Sequence, residues 1–257
     1  MKLNHTITGD APGVPILLIH GLFGQGRNLG ALARRLAQTR RVVTVDLRNH
    51  GESPWDEDHR YPALAADIAA LIEDLGAPAD ITGHSMGGKT AMAVALTRPE
   101  LVRKLAVMDI APVDYTHTQM KYIDAMEALD LSAIDRRSAA DRALAEHIDE
   151  PGIRAFLLQS LDLKANPPAW RLNLPVLRAR MGDLVGWPDG LPEATFDGPA
   201  VELMGDQSKY VTSDGEAALR RYFPQIRIVR VKNAGHWLHA DAPEIVAEAL
   251  ASFFGDG

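Results

Sequence analysis

Ten residues constrain this chain more than any others: Asp80-Ile81-Thr82-Gly83-His84-Ser85-Met86-Gly87-Gly88-Lys89. A β-leaning run ends at Gly83, and a helical run continues through Thr90-Ala91-Met92-Ala93-Val94-Ala95-Leu96. Gly-x-Ser-x-Gly at such a junction calls for a strand, a sharp turn and a helix in close contact. The residue at the apex of that turn holds a strained backbone, so its neighbours must lack side-chain bulk. Gly83 and Gly87 supply the room. The helix points its unpaired N–H groups back at the apex, where they favour negative charge.

The rest of the chain alternates in the same way. Residues 2–8 read as a β-leaning edge segment, and Val14-Pro15-Ile16-Leu17-Leu18-Ile19 is a continuous apolar run. Such a run marks a strand buried on both faces. It stops at His20-Gly21-Leu22-Phe23-Gly24, a backbone loop at the edge of the sheet where open α/β folds bind ligands. Helical spacing covers residues 27–38, a strand 41–47, an amphipathic helix 61–75 closed by Gly76, and a strand 104–110 that ends near Asp109. The loop between 48 and 54 is polar, and Arg48 and His50 read as ties for its backbone. Strands alternating with helices predict a doubly wound, mostly parallel sheet.

That rhythm breaks over residues 111–198. Helical segments near 116–129, 138–149 and 151–163 are expected there, with no buried strand. The stretch reads as a helical cap over the sheet edge, inserted into a core of residues 1–110 and 199–257. A cap would supply an apolar wall and exclude water. Phe156, Leu157, Trp170 and Trp187 are the wall candidates, each also explicable as cap core, and Phe23 is a further candidate for the substrate pocket. The sheet resumes at 200–205. Ser213 to Glu216 has capping-box spacing, and a last strand covers 227–231. Asp241 can cap the final helix, with Pro243 in its first turn.

A nucleophilic serine needs a base, and after an elbow serine the acid and the histidine follow in chain order. His236 lies in the glycine-flanked turn Ala234-Gly235-His236-Trp237 after the last strand, at the same sheet edge. His239 is the rival base. The usual acid position, three residues past Gly205, holds Ser208. Asp109 is therefore the stronger candidate for the acid and Asp206 the alternative. The backbone N–H groups of Leu22 and Met86 are the expected oxyanion donors, with Phe23 the alternative to Leu22. Losing one such donor typically costs about 3–4 kcal/mol of transition-state stabilisation.

Composition removes other classes. The formal charge of −7 argues against a nucleic-acid partner, and the pairs Arg34-Arg35 and Arg40-Arg41 read as solvated surface. With no cysteine there are no disulfides and no thiolate chemistry. No His-Glu-x-x-His run suggests a metal. No apolar run reaches the length of a membrane span, and the N-terminus lacks a signal-peptide core, so a cytoplasmic protein is expected. Nothing in the sequence specifies an oligomeric state.

Five stretches together resemble the α/β-hydrolase superfamily and, within it, the bacterial YbfF-type esterases. They are His20-Gly21-Leu22-Phe23-Gly24 with Arg27-Asn28-Leu29-Gly30; Val45 to Gly51; Gly83 to Lys89; Asp109-Ile110-Ala111-Pro112-Val113-Asp114-Tyr115; and Gly235-His236-Trp237-Leu238-His239-Ala240. The resemblance implies an α/β-hydrolase fold, a mostly parallel central sheet flanked by helices with an inserted helical cap. It also implies a cofactor-free hydrolase of acyl esters or acyl thioesters, with Asp109 as the acid. A perhydrolase or a carbon–carbon bond hydrolase could use the same residues. A non-catalytic small-molecule binder is the reading from a different class.

Overall fold

In the computed structural model, residues 1–76, 78–191 and 194–255 are described. The first half runs β1 (His5–Thr8), β2 (Ile16–Ile19), α1 (Gly30–Leu36), β3 (Val42–Val45), α2 (Tyr61–Asp74), β4 (Ala79–His84), α3 (Met86–Thr97) and β5 (Val102–Met108). After β5 come α4 (Met120–Glu127), α5 (Arg137–Leu144), α6 (Pro151–Leu157), β6 (Leu161–Asp162), β7 (Ala169–Trp170), α7 (Leu174–Ala179) and α8 (Met181–Val185). The chain ends with β8 (Ala200–Gly205), α9 (Ser213–Tyr222), β9 (Ile226–Val231), α10 (Leu238–Asp241) and α11 (Pro243–Phe254).

Seven strands form one sheet in the order β1-β3-β2-β4-β5-β8-β9. Only β1 runs antiparallel; every other neighbour pair is parallel. The sheet is mostly parallel, as the alternating pattern predicts. Helices cover both faces of the sheet, and β2, Ile16-Leu17-Leu18-Ile19, is accordingly apolar and buried throughout. Leu17 and Ile19 of β2 point into one apolar cluster, Ile16 and Leu18 into the other. Helices α2 and α3 pack on the first face, α1 and α11 on the second.

The topology fixes where a ligand can sit. From β2 the chain crosses to β3 on one side, then returns to β4 on the other. The C-terminal ends of β2 and β4 thus border the crevice at the switch point of the sheet. The loop at Gly21 and the turn at Ser85 both open into that crevice.

Between β5 and β8 lie helices α4 to α8 and, contrary to the all-helical expectation, an antiparallel ribbon of β6 with β7. Each strand has two residues, too few to show a two-residue period. Residues 192 and 193 of the expected cap lie outside the described residues. Two helix caps also differ from expectation. Thr212, not Ser213, caps α9 by accepting from the Gly215 N–H. Asp241 does not cap α11; its carboxylate takes the Gly235 N–H at 2.8 Å and closes the turn that carries His236. Among the described residues, no helix is long and apolar enough to cross a membrane.

Candidate active site

Ser85 stands between β4 and α3 with φ 53° and ψ −119°, a conformation that L-residues rarely hold. Three contacts enforce it. The Ser85 N–H donates to the Met108 carbonyl at 3.0 Å, and its carbonyl accepts from the Lys89 N–H at 3.0 Å. The third is close packing. A Cβ on Gly83 would meet the Gly87 carbonyl oxygen at 2.1 Å, and a Cβ on Gly87 would meet the His20 carbonyl oxygen at 2.4 Å. Both glycines are required by backbone approach, as the Gly-x-Ser-x-Gly reading supposes.

His236 is brought to this serine from the turn after β9. Its Nε2 lies 3.1 Å from Ser85 Oγ, and its Nδ1 lies 2.7 Å from Asp109 Oδ2. The carboxylate fixes the tautomer: Nδ1–H donates to Asp109, which leaves Nε2 free to accept the serine proton. Asp109 is fully buried just past β5, with φ 56°. Its Oδ1 accepts the Gly205 N–H at 3.0 Å. Asp206 is exposed and makes no contact with His236, so the alternative acid is not the one at the imidazole. The chain turns after Gly205, and Ser208 faces inward in its place.

Three neighbours of this trio, Ser208, Tyr210 and Glu202, lie outside the sequence motifs. The Ser208 hydroxyl donates to the same Asp109 oxygen that faces His236. Tyr210 stacks on the His236 ring, with centroids 3.7 Å apart and planes 12° from parallel. Glu202, fully buried on β8, accepts the Asp109 N–H at 2.9 Å. Burial, and then the charge of Asp109, push the Glu202 carboxyl well above the usual range and favour its neutral form. His84 donates Nε2–H to the His236 carbonyl at 2.8 Å. These residues are 90 or more positions from their partners in several cases, and only folding joins them. His239, the rival base, sits edge-on to His84 at 4.6 Å, and burial lowers its pKa to about 4.

The loop after β2 presents its amides selectively. His20 Nε2 accepts the Leu47 N–H at 3.0 Å, so its Nδ1–H donates to the Gly21 carbonyl at 2.8 Å. The Phe23 N–H is taken by His50 Nε2 at 3.2 Å. The Phe23 N–H is thus already paired, which counts against it as the alternative donor. Among the described residues nothing accepts the Leu22 N–H. Met86 opens α3, and the first N–H groups of a helix lack intrahelical acceptors.

A cavity of about 300 Å³ opens beside Ser85 and His236. Phe23, Phe156 and Leu157 line it, as does Trp237. Trp170 and Trp187 do not. Trp170, in β7, is buried and donates Nε1–H to the Met126 carbonyl at 3.0 Å. Trp187 packs on Tyr222, 5.8 Å between centroids. Both rings pack on other partners, away from this cavity. Among the described residues, no group of acidic or histidine side chains has the geometry to hold a metal ion.

A strained serine at a strand–helix turn, at the switch point of a parallel sheet and within reach of a histidine from the last sheet loop, is the architecture of the alpha/beta hydrolase family. The model of that family matches residues 16–249, and the chain belongs to it. Within the family, the YbfF-type resemblance extends over the whole length: the chain is 38% identical to esterase YbfF of Escherichia coli K12, covering 100% of both proteins. It is 40% identical to the mouse sn-1-specific diacylglycerol lipase ABHD11 over 96% of this chain and 83% of that protein. A solved marine microorganism esterase superposes with a TM-score of 0.94 at 32% identity, covering 98% of this chain and 99% of that one.

Proposed function

We propose that this chain is a carboxylic-ester hydrolase that works through an acyl-enzyme on Ser85. Ser85 Oγ attacks the acyl carbon while His236 Nε2 takes its proton. The oxyanion forms against the N–H groups of Leu22 and Met86. His236 then passes the proton to the leaving oxygen as the carbon–oxygen bond breaks. Water, deprotonated by the same imidazole, releases the acid. Asp109 orients the ring and stabilises the imidazolium. The stretch 111–198 acts as a cap that walls the cavity. Acyl thioesters fall within the same reading, since a thiolate leaves as an alkoxide does.

The observation that carries this reading is the alignment of Ser85 Oγ, the His236 ring and Asp109 Oδ2 at 3.1 and 2.7 Å. The esterase and lipase names of the relatives support an ester as substrate. We predict that purified protein hydrolyses p-nitrophenyl acetate and that Ser85→Ala lowers kcat on the order of 10⁴-fold or more. Undiminished turnover by Ser85→Ala would refute the proposal.

A further inference from the structure

A second space meets Ser85. It is a chamber of about 50 Å³, bordered by Met86, Ile110, Met181 and Leu184 and also by Lys89. Leu22, Ser85, Gln119 and Tyr210 border both spaces. The Gln119 side-chain amide donates to the Tyr210 hydroxyl at 3.1 Å. His236 and Trp237 border only the large cavity, while Met86, Met181 and Leu184 border only the small chamber.

We infer that the acyl group sits in the small chamber and the leaving group in the large cavity, so that the enzyme selects short acyl groups carried on bulky apolar alcohols or thiols. The inference rests on the ester-hydrolase reading above. The tetrahedral carbon carries the serine oxygen, the oxyanion, the leaving atom and the acyl carbon. With the oxyanion on the Leu22 and Met86 amides, the leaving atom must lie within hydrogen-bond reach of His236 Nε2 to receive its proton. His236 faces the large cavity alone, so the leaving group extends there. The acyl carbon is left with the other space.

Size then sets the limit. A buried site needs roughly 10–15 Å³ of this kind of volume to hold one water-sized group. The small chamber thus takes about four non-hydrogen atoms, an acetyl to butyryl chain. Lys89 does not offer its head group to an acidic tail. Its Nζ is held by the carbonyls of Val113, Val185 and Gly186 at 2.8, 3.1 and 2.6 Å, and burial lowers its pKa to about 7. The large cavity is walled by Phe23, Tyr122, Ile153, Phe156, Leu157 and Trp237, which suits an apolar leaving group.

Two isomeric esters test this directly: hexyl acetate and ethyl hexanoate have the same atoms and opposite placement. With wild-type protein, kcat/KM read from released alcohol should favour hexyl acetate by about tenfold or more, since each methylene that fails to fit costs about that much. Equal rates, or a preference for ethyl hexanoate, overturn the assignment. Leu184→Ala enlarges the small chamber and should shift the ratio toward ethyl hexanoate by about tenfold; an unchanged ratio in folded variant counts against it. If that variant does not fold, or if neither ester turns over, sulfonyl fluorides decide on wild type. Methanesulfonyl fluoride should label Ser85 about tenfold faster than hexanesulfonyl fluoride, because the alkyl group takes the acyl position. The reverse order overturns the chamber assignment alone. Absence of labelling by either reagent and by a fluorophosphonate would instead defeat the serine-hydrolase reading.

Discussion

His50 decides which amide at the Gly21 loop is free. It is fully buried, and burial followed by the nearby His20 and His59 lowers its pKa well below the ordinary imidazole value. The neutral ring donates Nδ1–H to the Arg48 carbonyl at 3.0 Å and so must accept at Nε2, where it receives the Phe23 N–H. Phe23 is thereby held at φ 63°, and in the proposed mechanism the unpaired Leu22 amide is the one that meets the oxyanion. His50 is a positioning residue in this scheme: it touches the loop, not the substrate. We predict that His50→Leu lowers kcat for p-nitrophenyl acetate about 10²-fold, the usual cost of an ångström-scale misplacement, with little change in KM. His50→Gln, which restores an acceptor, should recover most of that loss. Wild-type kcat in His50→Leu, or no rescue by glutamine, would contradict the role. The acid shows a related economy at residue scale. Asp109 arrives from β5, and Ser208, at the position where an acid usually stands, donates a hydroxyl to it instead.

The elbow is a property of three elements together. Gly87, in the first turn of α3, lies against the end of β2, where a Cβ would meet the His20 and Ile19 carbonyl oxygens at 2.4 and 2.5 Å. Both are backbone atoms of the central sheet and cannot swing aside. Gly87→Ala should therefore push α3 off the sheet, lower stability by about 1–3 kcal/mol and displace the Met86 amide. Gly182→Ala in α8 is the matched control, since its Cβ would meet nothing within 4 Å. Urea midpoints at constant m distinguish the two; equal midpoints would show that the close approach is not needed. The same contrast explains what was legible in the sequence. Strand β2 announces itself because burial on both faces leaves an unbroken apolar run, and Ser85 sits between glycines that the close approach of α3 to the sheet requires. Tyr210, Ser208 and Glu202 sit in no such frame, because their roles arise only from contacts between distant elements. The ribbon of β6 and β7 is too short for a period to show. Thr212 and Ser213 are chemically equivalent caps one residue apart, and Asp241 is drawn away from α11 by the Gly235 amide.

Across the molecule, burial sets the protonation of a whole group of histidines. Five of the nine histidines, His20, His50, His59, His84 and His239, have pKa values lowered with desolvation as the first cause. His59 falls to about 3 and His239 to about 4. Their rings lie in two groups. His20, His50 and His59 are spaced at 5.1 and 5.3 Å, and His84 touches both His236 and His239. A proton on one ring opposes a proton on the next. In the unfolded chain these rings take up protons near the ordinary imidazole value of about 6.5, while in the fold they do not. The folded state thus binds fewer protons below that value, and stability must fall as pH drops from about 6.5 toward 4, at up to about 1.4 kcal/mol per pH unit for each ring. The expected observation is a urea midpoint that declines through this window with m unchanged. His59→Phe keeps the site filled and removes one proton from the balance. That variant should be less stable at neutral pH, where Asn49 loses its ring partner, yet show a shallower decline in acid. A midpoint that holds steady from pH 7.5 to 5, or a His59→Phe slope equal to wild type, would mean that the buried rings are charged in the fold. It would also remove the neutral His50 on which the Leu22 amide depends.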